Sequence, residues 1–594
     1  MAPNTFQGWP VVKVNGRALP PEIENLFDGV VIDDHLHLPD QLTIVVRDPS
    51  RDSLDKSGFT IGAPIEVSVV SSGRGGSDGD SALFRGEITG LEAEYDVSGQ
   101  RVRIRAYDVS HRLHRGRHTE AYKNKTDADI ARKVAQRCSI DVGVVEDPTP
   151  PKAHDHVSQV NLTDWEFIRA RAREIGFETG VADGKFFFRK PKVNEGAPAA
   201  GDLDATQALQ MVFGADLLEF HPRVSAVSQV EEVKTRGWDY LEKQTVRGQA
   251  RPDDHSHAPA ISSKPNKLGA AFKGTKPFVL TDRVLATQTE AEHAAKGMAQ
   301  QISSTLGEAD GVSRGNPQIR AGAALAVSAV APPFVGTWTV THSRHAFDSQ
   351  GYRTSFSVAG RQERSLLGLA SVGATSGVAS AGGPPVFGVV VGLVTNIMDP
   401  AGMHRVKLRF PWLSDDYESW WARMAQVGAG KGRGLVWLPE VDDEVLVAFE
   451  QGDIRRPYVI GMLFNGKDSI ANDAGKKIYD SSGRSVLKGM RSRSGHRLVF
   501  QDGWDGHEAA WLGTGDSKHR LILSQGDNKV ILHSDGSIEI SAGGDIAVSG
   551  SNITLKAQQK VEIEAGTELS IKSKNVSIDG DIKVAVNGGM ITLN

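Results

Sequence analysis

Residues 537–589 alternate apolar and polar side chains for most of their length and contain neither proline nor an aromatic residue. Side chains two apart share a face of an extended chain, so each apolar pair marks a short strand. The pairs are Ile538/Ile540, Ile546/Val548, Ile553/Leu555, Val561/Ile563, Leu569/Ile571, Val576/Ile578 and Ile582/Val584. Their first members lie 8, 7, 8, 8, 7 and 6 residues apart, which leaves room only for a strand and a Gly/Asn/Asp/Ser turn. Leu521/Leu523 and Val530/Leu532 keep the beat upstream, and Ile591/Leu593 continue it downstream. With no Phe, Tyr or Trp from Leu521 to Asn594, one chain has little with which to fill a two-layer core. Three copies wound about one axis would pool these aliphatics in a narrow core, each contributing about 1.5–3 kcal/mol. The pattern therefore predicts a trimeric intertwined β-helix. A monomeric repeat solenoid or a run of hairpins is the alternative.

At 594 residues the chain exceeds a single core, and three to five domains are expected. A net charge of −5 with 24% charged residues announces neither nucleic acid nor an anionic membrane as a partner. Cys138 is the single cysteine, so packing and assembly must hold the fold without an internal disulfide. The opening MAPNTFQGWP lacks a basic stretch followed by an apolar run, and the most apolar windows are short or broken by proline. The expectation is a protein made in the cytoplasm and exported, if at all, without a signal peptide.

GLASVGATSGVASAGGPP, residues 368–385, reads as an interdomain linker. Before it lies an internal echo. IGAPIEVSV at 61 resembles AGAALAVSAV at 321, and Phe84-x-Gly86-x-Ile88-Thr89 matches Phe334-x-Gly336-x-Trp338-Thr339, each followed by an Asp-x-x-Gly turn. Two similar β-rich domains are predicted, the first carrying GRGGSDGDS as an inserted loop. Between them, Thr126/Asp129 and Thr163/Glu166 have capping-box spacing at the starts of two helices, and Gly176 ends the second. A third helix is expected near 289–304. After the linker, several short strands in about eighty residues suggest an OB-type barrel.

No motif assembles persuasive chemistry. GVSRG at 311–315 fits the nucleophile-elbow pattern, but that chemistry needs a strand before Ser313 and a helix after it, whereas a helix is expected before it and NPQIRAG follows. VGAGKGRG at 427–434 fits neither phosphate-loop pattern and reads as a turn. His-x-His occurs at His35/His37, His154/His156 and His255/His257, yet no third or fourth ligand accompanies any pair. Asp415/Asp416 and Asp442/Asp443 adjoin turns, where solvated charge is the ordinary reading. Neither a catalytic set, a metal site nor a cofactor is expected.

The stretch WLPEVDDEVLVAFEQGDIRRPYVIGMLFN carries an aromatic, then Pro439, Glu444-Val445-Leu446-Val447, Phe449, Gly452-Asp453, Arg456-Pro457, Val459 and Gly461. In that order and spacing it resembles the VgrG and phage baseplate-spike family. RSRSGHRLVFQD from Arg491 resembles the family's neck, while NLTDWEFIRARAREIGFE from Asn161 and VEEVKTRGWD from Val230 resemble its hub, the phage late control protein D. The resemblance implies a mainly β chain with α/β insertions: a hub of two similar barrels (1–367), the linker, an OB-fold barrel (386–466), a neck (467–520) and a needle (521–594). It also implies a homotrimer whose six hub barrels match a sixfold inner tube and whose needle meets a target membrane on firing. Baseplate proteins, a PAAR-type tip protein and effector cargo are the further partners it allows, with no nucleic acid. VVIDDHLHLPDQLTIVVRDP looks more like spikes of phage tails and extracellular contractile injection systems than like type VI secretion VgrG. The trimer core is expected to bury Ile538, Ile540, Ile546, Val548, Ile553, Leu555, Val561, Ile563, Leu569, Ile571, Val576 and Ile578, and tip docking to use Met590, Ile591 and Leu593. A type VI spike, a tail-associated cell-wall hydrolase and a passive adhesin are the competing functions.

Overall fold

The computed structural model describes residues 9–70, 80–97, 99–149, 151, 153–192, 209–252, 260–261, 264–272, 277–281, 283–360, 385–469, 478–503 and 508–592. Most of the linker, His255, His257 and Leu593 lie outside these. The chain divides into two compact units, 1–469 and 470–594.

The first unit is built on one long sheet. Its first half holds β1 (Pro10–Val14), β2 (Phe27–His35), β3 (Gln41–Arg47), β4 (Pro64–Val70), β5 (Asp80–Asp96) and β6 (Gly99–Tyr107). Alternation decides which face is inside: Val30 and Ile32, then Leu42, Ile44 and Val46, then Ile65 and Val67, then Val102 and Ile104 are all buried in one core. An inserted α/β layer follows, with β7 (His118–Lys125), α1 (Asp127–Arg137), β8 (Asp141–Val145), β9 (His154–Leu162), α2 (Asp164–Glu174), β10 (Glu178–Ala182) and β11 (Lys185–Arg189). Both expected capping boxes form: Asp129 N–H donates to Thr126 Oγ1 at 3.2 Å and Glu166 N–H to Thr163 Oγ1 at 3.1 Å, with each acid accepting from the cap backbone in return. Gly176 follows α2 at φ +75°, a left-handed exit open to glycine.

The second half repeats the first with β12 (Leu217–Val224), β13 (Val233–Asp239), β14 (Gln244–Ala250), β15 (Phe278–Leu280), α3 (Gln288–Ser303), β16 (Gly307–Arg314), β17 (Ala324–Ser328), β18 (Gly336–Thr339), β19 (His342–Asp348) and β20 (Gly351–Val358). The eleven-stranded sheet runs β12-β16-β20-β19-β2-β3-β6-β5-β4-β1 and ends on the short strand Arg17–Ala18. The order β2-β3-β6-β5 is thus repeated as β12-β16-β20-β19, and β19 pairs with β2 to join the halves. The duplication is structural, but its register differs from the residue match. Gly62 and Gly322, at φ +90° and +87°, donate to Ile88 O and Val340 O, both at 2.8 Å. Ile88 therefore corresponds to Val340 and not to Trp338, and the Asp96/Gly99 and Asp348/Gly351 turns keep the same offset. A slip of two residues leaves the same side chains on the core face, and both Trp338 and Val340 are buried, so side-chain pattern alone cannot detect it.

The barrel contains β21 (Val389–Asn396), β22 (Lys407–Arg409), β23 (Arg423–Met424), β24 (Glu444–Phe449) and β25 (Pro457–Met462), in sheet order β22-β21-β24-β25-β23. The pattern residues serve its core and turns: Val445, Val447, Phe449 and Val459 are buried, and Gly452 turns at φ +77°.

The second unit contains an antiparallel meander of β26 (Leu487–Arg491), β27 (Arg497–Gln501), β28 (Ala509–Gly513), β29 (His519–Ser524) and β30 (Lys529–Ser534). No strand ladder is formed within the chain among the described residues 535–592. As a result the expected needle core does not exist inside one chain. Ile540, Val548 and Ile571 are 71%, 72% and 70% exposed, and the other nine residues expected with them are exposed as well. The physical reason is that strands of this length, with turns between them and no large side chains, have no second layer of their own chain to pack against. Among the described residues, no helix is long and apolar enough to cross a membrane.

Candidate functional site

Hub and barrel meet through a chain of buried charge. Asp127, at the start of α1, accepts from Arg171 Nε of α2 at 2.8 Å and lies 2.9 Å from His154 Nε2 of β9. Burial pushes the Asp127 carboxyl up, but Arg171 and His154 outweigh it and hold it at about 2. Arg171 also pairs with Glu174, whose carboxylate lies 3.5 Å from Arg455 of the barrel, and Arg455 forms a two-pronged pair with Asp453 at 3.0 and 2.9 Å. Pairing and hydrogen bonding of this kind are what permit charge to be buried.

Glu418 of the barrel forms a second crossing. Lys123 of β7 and Lys407 both reach its Oε2 at 3.0 Å, and burial is outweighed so that its carboxyl is held low. His156 approaches the Glu418 carbonyl at 3.1 Å and stacks on Trp420, and burial pushes its imidazole down to about 4. Ser158 meets Tyr417 at 2.9 Å, and Val160 of β9 joins the barrel's own apolar cluster. Tyr240, at the β13–β14 turn, completes the junction by bonding Arg405 at 3.2 Å beneath the Arg423 guanidinium. These contacts tie the inserted layer to the barrel.

The motifs weighed for chemistry resolve into structure. Ser313 does not follow a helix: it lies inside β16, buried, and donates to the Arg314 and Thr354 carbonyls at 2.9 and 3.2 Å. The strand of an elbow is present, but a loop follows it where an elbow needs a helix. Ser313→Ala should cost about 1 kcal/mol of local stability, read as faster hydrogen exchange along β16 in the intact protein. VGAGKGRG forms an exposed two-stranded hairpin, Ala429–Gly430 with Arg433–Gly434, and no helix N-terminus adjoins it. His35 makes tilted ring contacts with His37 and His342, while His154 and His156 serve the junction. No group of three or more His, Cys, Asp or Glu among the described residues is placed to hold a metal ion. The role of Arg455 was not visible beforehand, because the family pattern names its neighbour Arg456 and leaves 455 open.

None of the twelve residues expected to form the trimer core is buried by its own chain. The first members of the pairs, Ile538, Ile546, Ile553, Val561, Leu569 and Val576, are 51–58% exposed. The second members, Ile540, Val548, Leu555, Ile563, Ile571 and Ile578, are more open still, at 63–73%. A core at these positions would have to be completed by other chains. In the second unit's meander, cross-strand register places Lys488, Phe500, Ala510, Leu523 and Val530 beside Met490, Leu498, Leu512, Leu521 and Leu532 on one face. Met590 and Ile591 are also exposed.

Residues 390–464 match the Type VI secretion system/phage-baseplate injector OB domain, and residues 11–349, more than half of the chain, match the Alg8 N-terminal domain. The chain is 33% identical over 94 residues to the type VI secretion system spike protein VgrG1a of Pseudomonas aeruginosa, covering 15% of this chain and 14% of the relative. It is 30% identical over 124 residues to VgrG3 of Vibrio cholerae, covering 20% and 12%. A chain of a Francisella PdpA–VgrG complex shares the fold, with a TM-score of 0.51 at 9% identity, over 88% of this chain and 79% of that one. The chain covers only about a seventh of the length of these VgrG relatives; it belongs to the Alg8 N-terminal domain family and carries an OB barrel similar to that of type VI and phage-baseplate injectors.

Proposed function

We propose that three copies of this chain form the central spike of a contractile injection system. Two hub barrels per chain present six to a sixfold inner tube and the surrounding baseplate, while the needle is threefold and strikes the target membrane on firing. The observation that carries this reading is that six successive aliphatic pairs, spaced seven or eight residues apart, stand exposed with no strand ladder inside the chain to cover them. Regular, exposed apolar strands need partners of identical period, and copies of the same chain supply them.

The spike is mechanical. The charged hub–barrel junction would carry compressive load, and the energy would come from contraction elsewhere in the particle. Assembly takes place in the cytoplasm, and delivery follows firing. A tip protein of PAAR type docks on Met590, Ile591 and Leu593, with effector cargo carried beside it. Deleting residues 590–594 should abolish retention of the tip protein in a pull-down while sedimentation still shows a trimer. A truncated spike that retains the tip protein would overturn this docking face.

The particle is proposed to be an extracellular, phage-tail-like one. A type VI spike is the second reading, favoured by the OB-domain match and by the VgrG relatives. Electron microscopy of particles recovered through a tag on this chain separates them: free sheathed tails support the first reading, and an apparatus recovered only with cell envelope supports the second. A spike that binds no tube protein would exclude both and favour the adhesin. Peptidoglycan release by the purified protein would favour the hydrolase.

A further inference from the structure

The two hub halves meet where β19 of the second lies against β2 of the first, and the pleat sorts the charge along this seam. Asp33 and His35 stand opposite Arg344 and His342 on one face, while Asp34 stands opposite Ser343 on the other, inner face. Asp34 is buried and is held from the second half: Arg320, ahead of β17, donates to its Oδ2 from Nε at 3.2 Å, and the Ala321 N–H donates to the same oxygen at 3.1 Å. The Arg320 guanidinium also reaches Asp183 Oδ1, in the β10–β11 turn, at 2.8 Å. Arg320 therefore joins both halves and the inserted layer, and its charge is already shared by two carboxylates.

Two further carboxylates crowd this point. Asp40, just before β3, accepts from the His35 N–H at 2.9 Å, and its carbonyl accepts the Asp108 N–H at 3.0 Å. Asp108, just after β6, is buried and accepts from the Ser110 hydroxyl at 2.5 Å. Neither acid forms an ion pair among the described residues, and no group of three or more acids, histidines or cysteines there is placed to hold a metal ion. Burial pushes the Asp40 carboxyl well up, and Asp34 and Asp108 add to the push. Burial likewise lifts Asp108 to about 7, against its hydrogen bonds from Ser110.

The neighbouring titratable groups face elsewhere or carry no charge. His345, opposite Ile32 on the inner face, is pushed down to about 3 by burial and then by Arg320, so it is neutral. On the outer face His342 lies 3.2 Å and Arg344 3.5 Å from Asp33 Oδ1, and His35 makes its ring contacts with His342 and His37. Beyond Asp108, His111 and Arg112 are turned to Glu87, at 2.9 and 3.3 Å.

We infer that the seam is a proton-held clasp: Asp40 and Asp108 hold protons in mild acid, and their ionisation beside Asp34, with Arg320 already engaged, loosens β2 from β19. The clasp is independent of the trimer reading. An unfolded aspartate has a value of about 3.9, so the folded seam binds the proton more tightly. Its contribution to stability is complete below pH about 4 and is lost as pH rises through about 7.

Infrared spectra of the intact protein at about pH 6 should show the carbonyl band of a protonated carboxyl, because ordinary aspartates and glutamates are ionised there. Asp108→Asn and Asp40→Asn, which keep the shape of the protonated acid, should each weaken that band. Amide exchange along β2 and β19, corrected for its intrinsic rate, should speed up about tenfold between about pH 6 and about pH 8, and either substitution should reduce the change. Should one variant misfold, the other and the spectrum of the unaltered chain still decide. A spectrum without the band overturns the clasp. So does an exchange response that survives both substitutions, which would assign it to the histidines. Protection restored at about pH 8 by calcium chloride overturns it as well, by putting a metal ion where the protons were placed.

Discussion

Ile563→Asp should abolish the needle, leaving a protein that sediments as a monomer or as disordered aggregates. In the single chain Ile563 is well exposed, so on a lone chain this substitution would be nearly neutral. In a threefold assembly it places three carboxylates near one axis. The direct loss is about 1.5–3 kcal/mol of apolar burial per chain. Desolvating three like charges adds several kcal/mol more, because no cation on the neighbouring apolar rungs can neutralise them. Thr554→Asp, between the paired aliphatics Ile553 and Leu555 and therefore on the opposite pleat, is the control and should leave the trimer intact. Analytical ultracentrifugation of both variants checks the expectation. A stable trimer of Ile563→Asp would show that these rungs do not face an axis.

Arg171→Ala should loosen the inserted hub layer by about 3–5 kcal/mol, the usual cost of leaving a buried charge without its partner. Asp127 is almost fully buried at the start of α1, and Glu174, through which Arg171 is linked to Arg455, would lose its anchor as well. Hydrogen exchange at α1 and α2 in the intact protein is the measurement, since global melting of so large a chain is not one transition. The same network sets an acid limit. The Asp127 carboxyl sits at about 2 in the fold, below its unfolded value of about 3.9, so the unfolded chain binds the proton first. Its contribution is therefore complete above pH about 4 and is lost as pH falls through about 2. Protection of α1 should fall across that window, and in Arg171→Ala the fall should begin at higher pH. Identical acid profiles for the two proteins would show that the pair does not govern the layer.

Much of this architecture was legible in the residues. The capping boxes at Thr126 and Thr163, the glycine exit at Gly176, the duplicated hub and the barrel pattern from Pro439 to Gly461 all depend on local rules: a hydroxyl three residues before an acid, a residue free to adopt positive φ, an alternation that sorts faces. The repeat of the needle was legible for the same reason, since a period of seven or eight with no aromatic residue admits few folds. The same pattern names Ile540, Val548 and Ile571 as a shared core, and their exposure in one chain leaves that core to be tested in the assembly.

What the tertiary structure decided lies where residues far apart in sequence must choose partners. The two-residue slip that sets Ile88 against Val340 preserves the pleat, and the hydrogen bonds of Gly62 and Gly322, with the offsets of the two Asp-x-x-Gly turns, reveal it. Ser313 lies inside a strand because β16 pairs on both sides, with β12 and β20, an outcome no five-residue motif encodes. The junction charges are the clearest case. Asp127, Arg171, Glu174, Asp453 and Arg455 are ordinary surface residue types, and nothing local distinguishes them from the solvated pairs elsewhere in the chain. They become a buried chain of ion pairs because folding removes the water around them, and that depends on which side of the inserted layer meets the barrel.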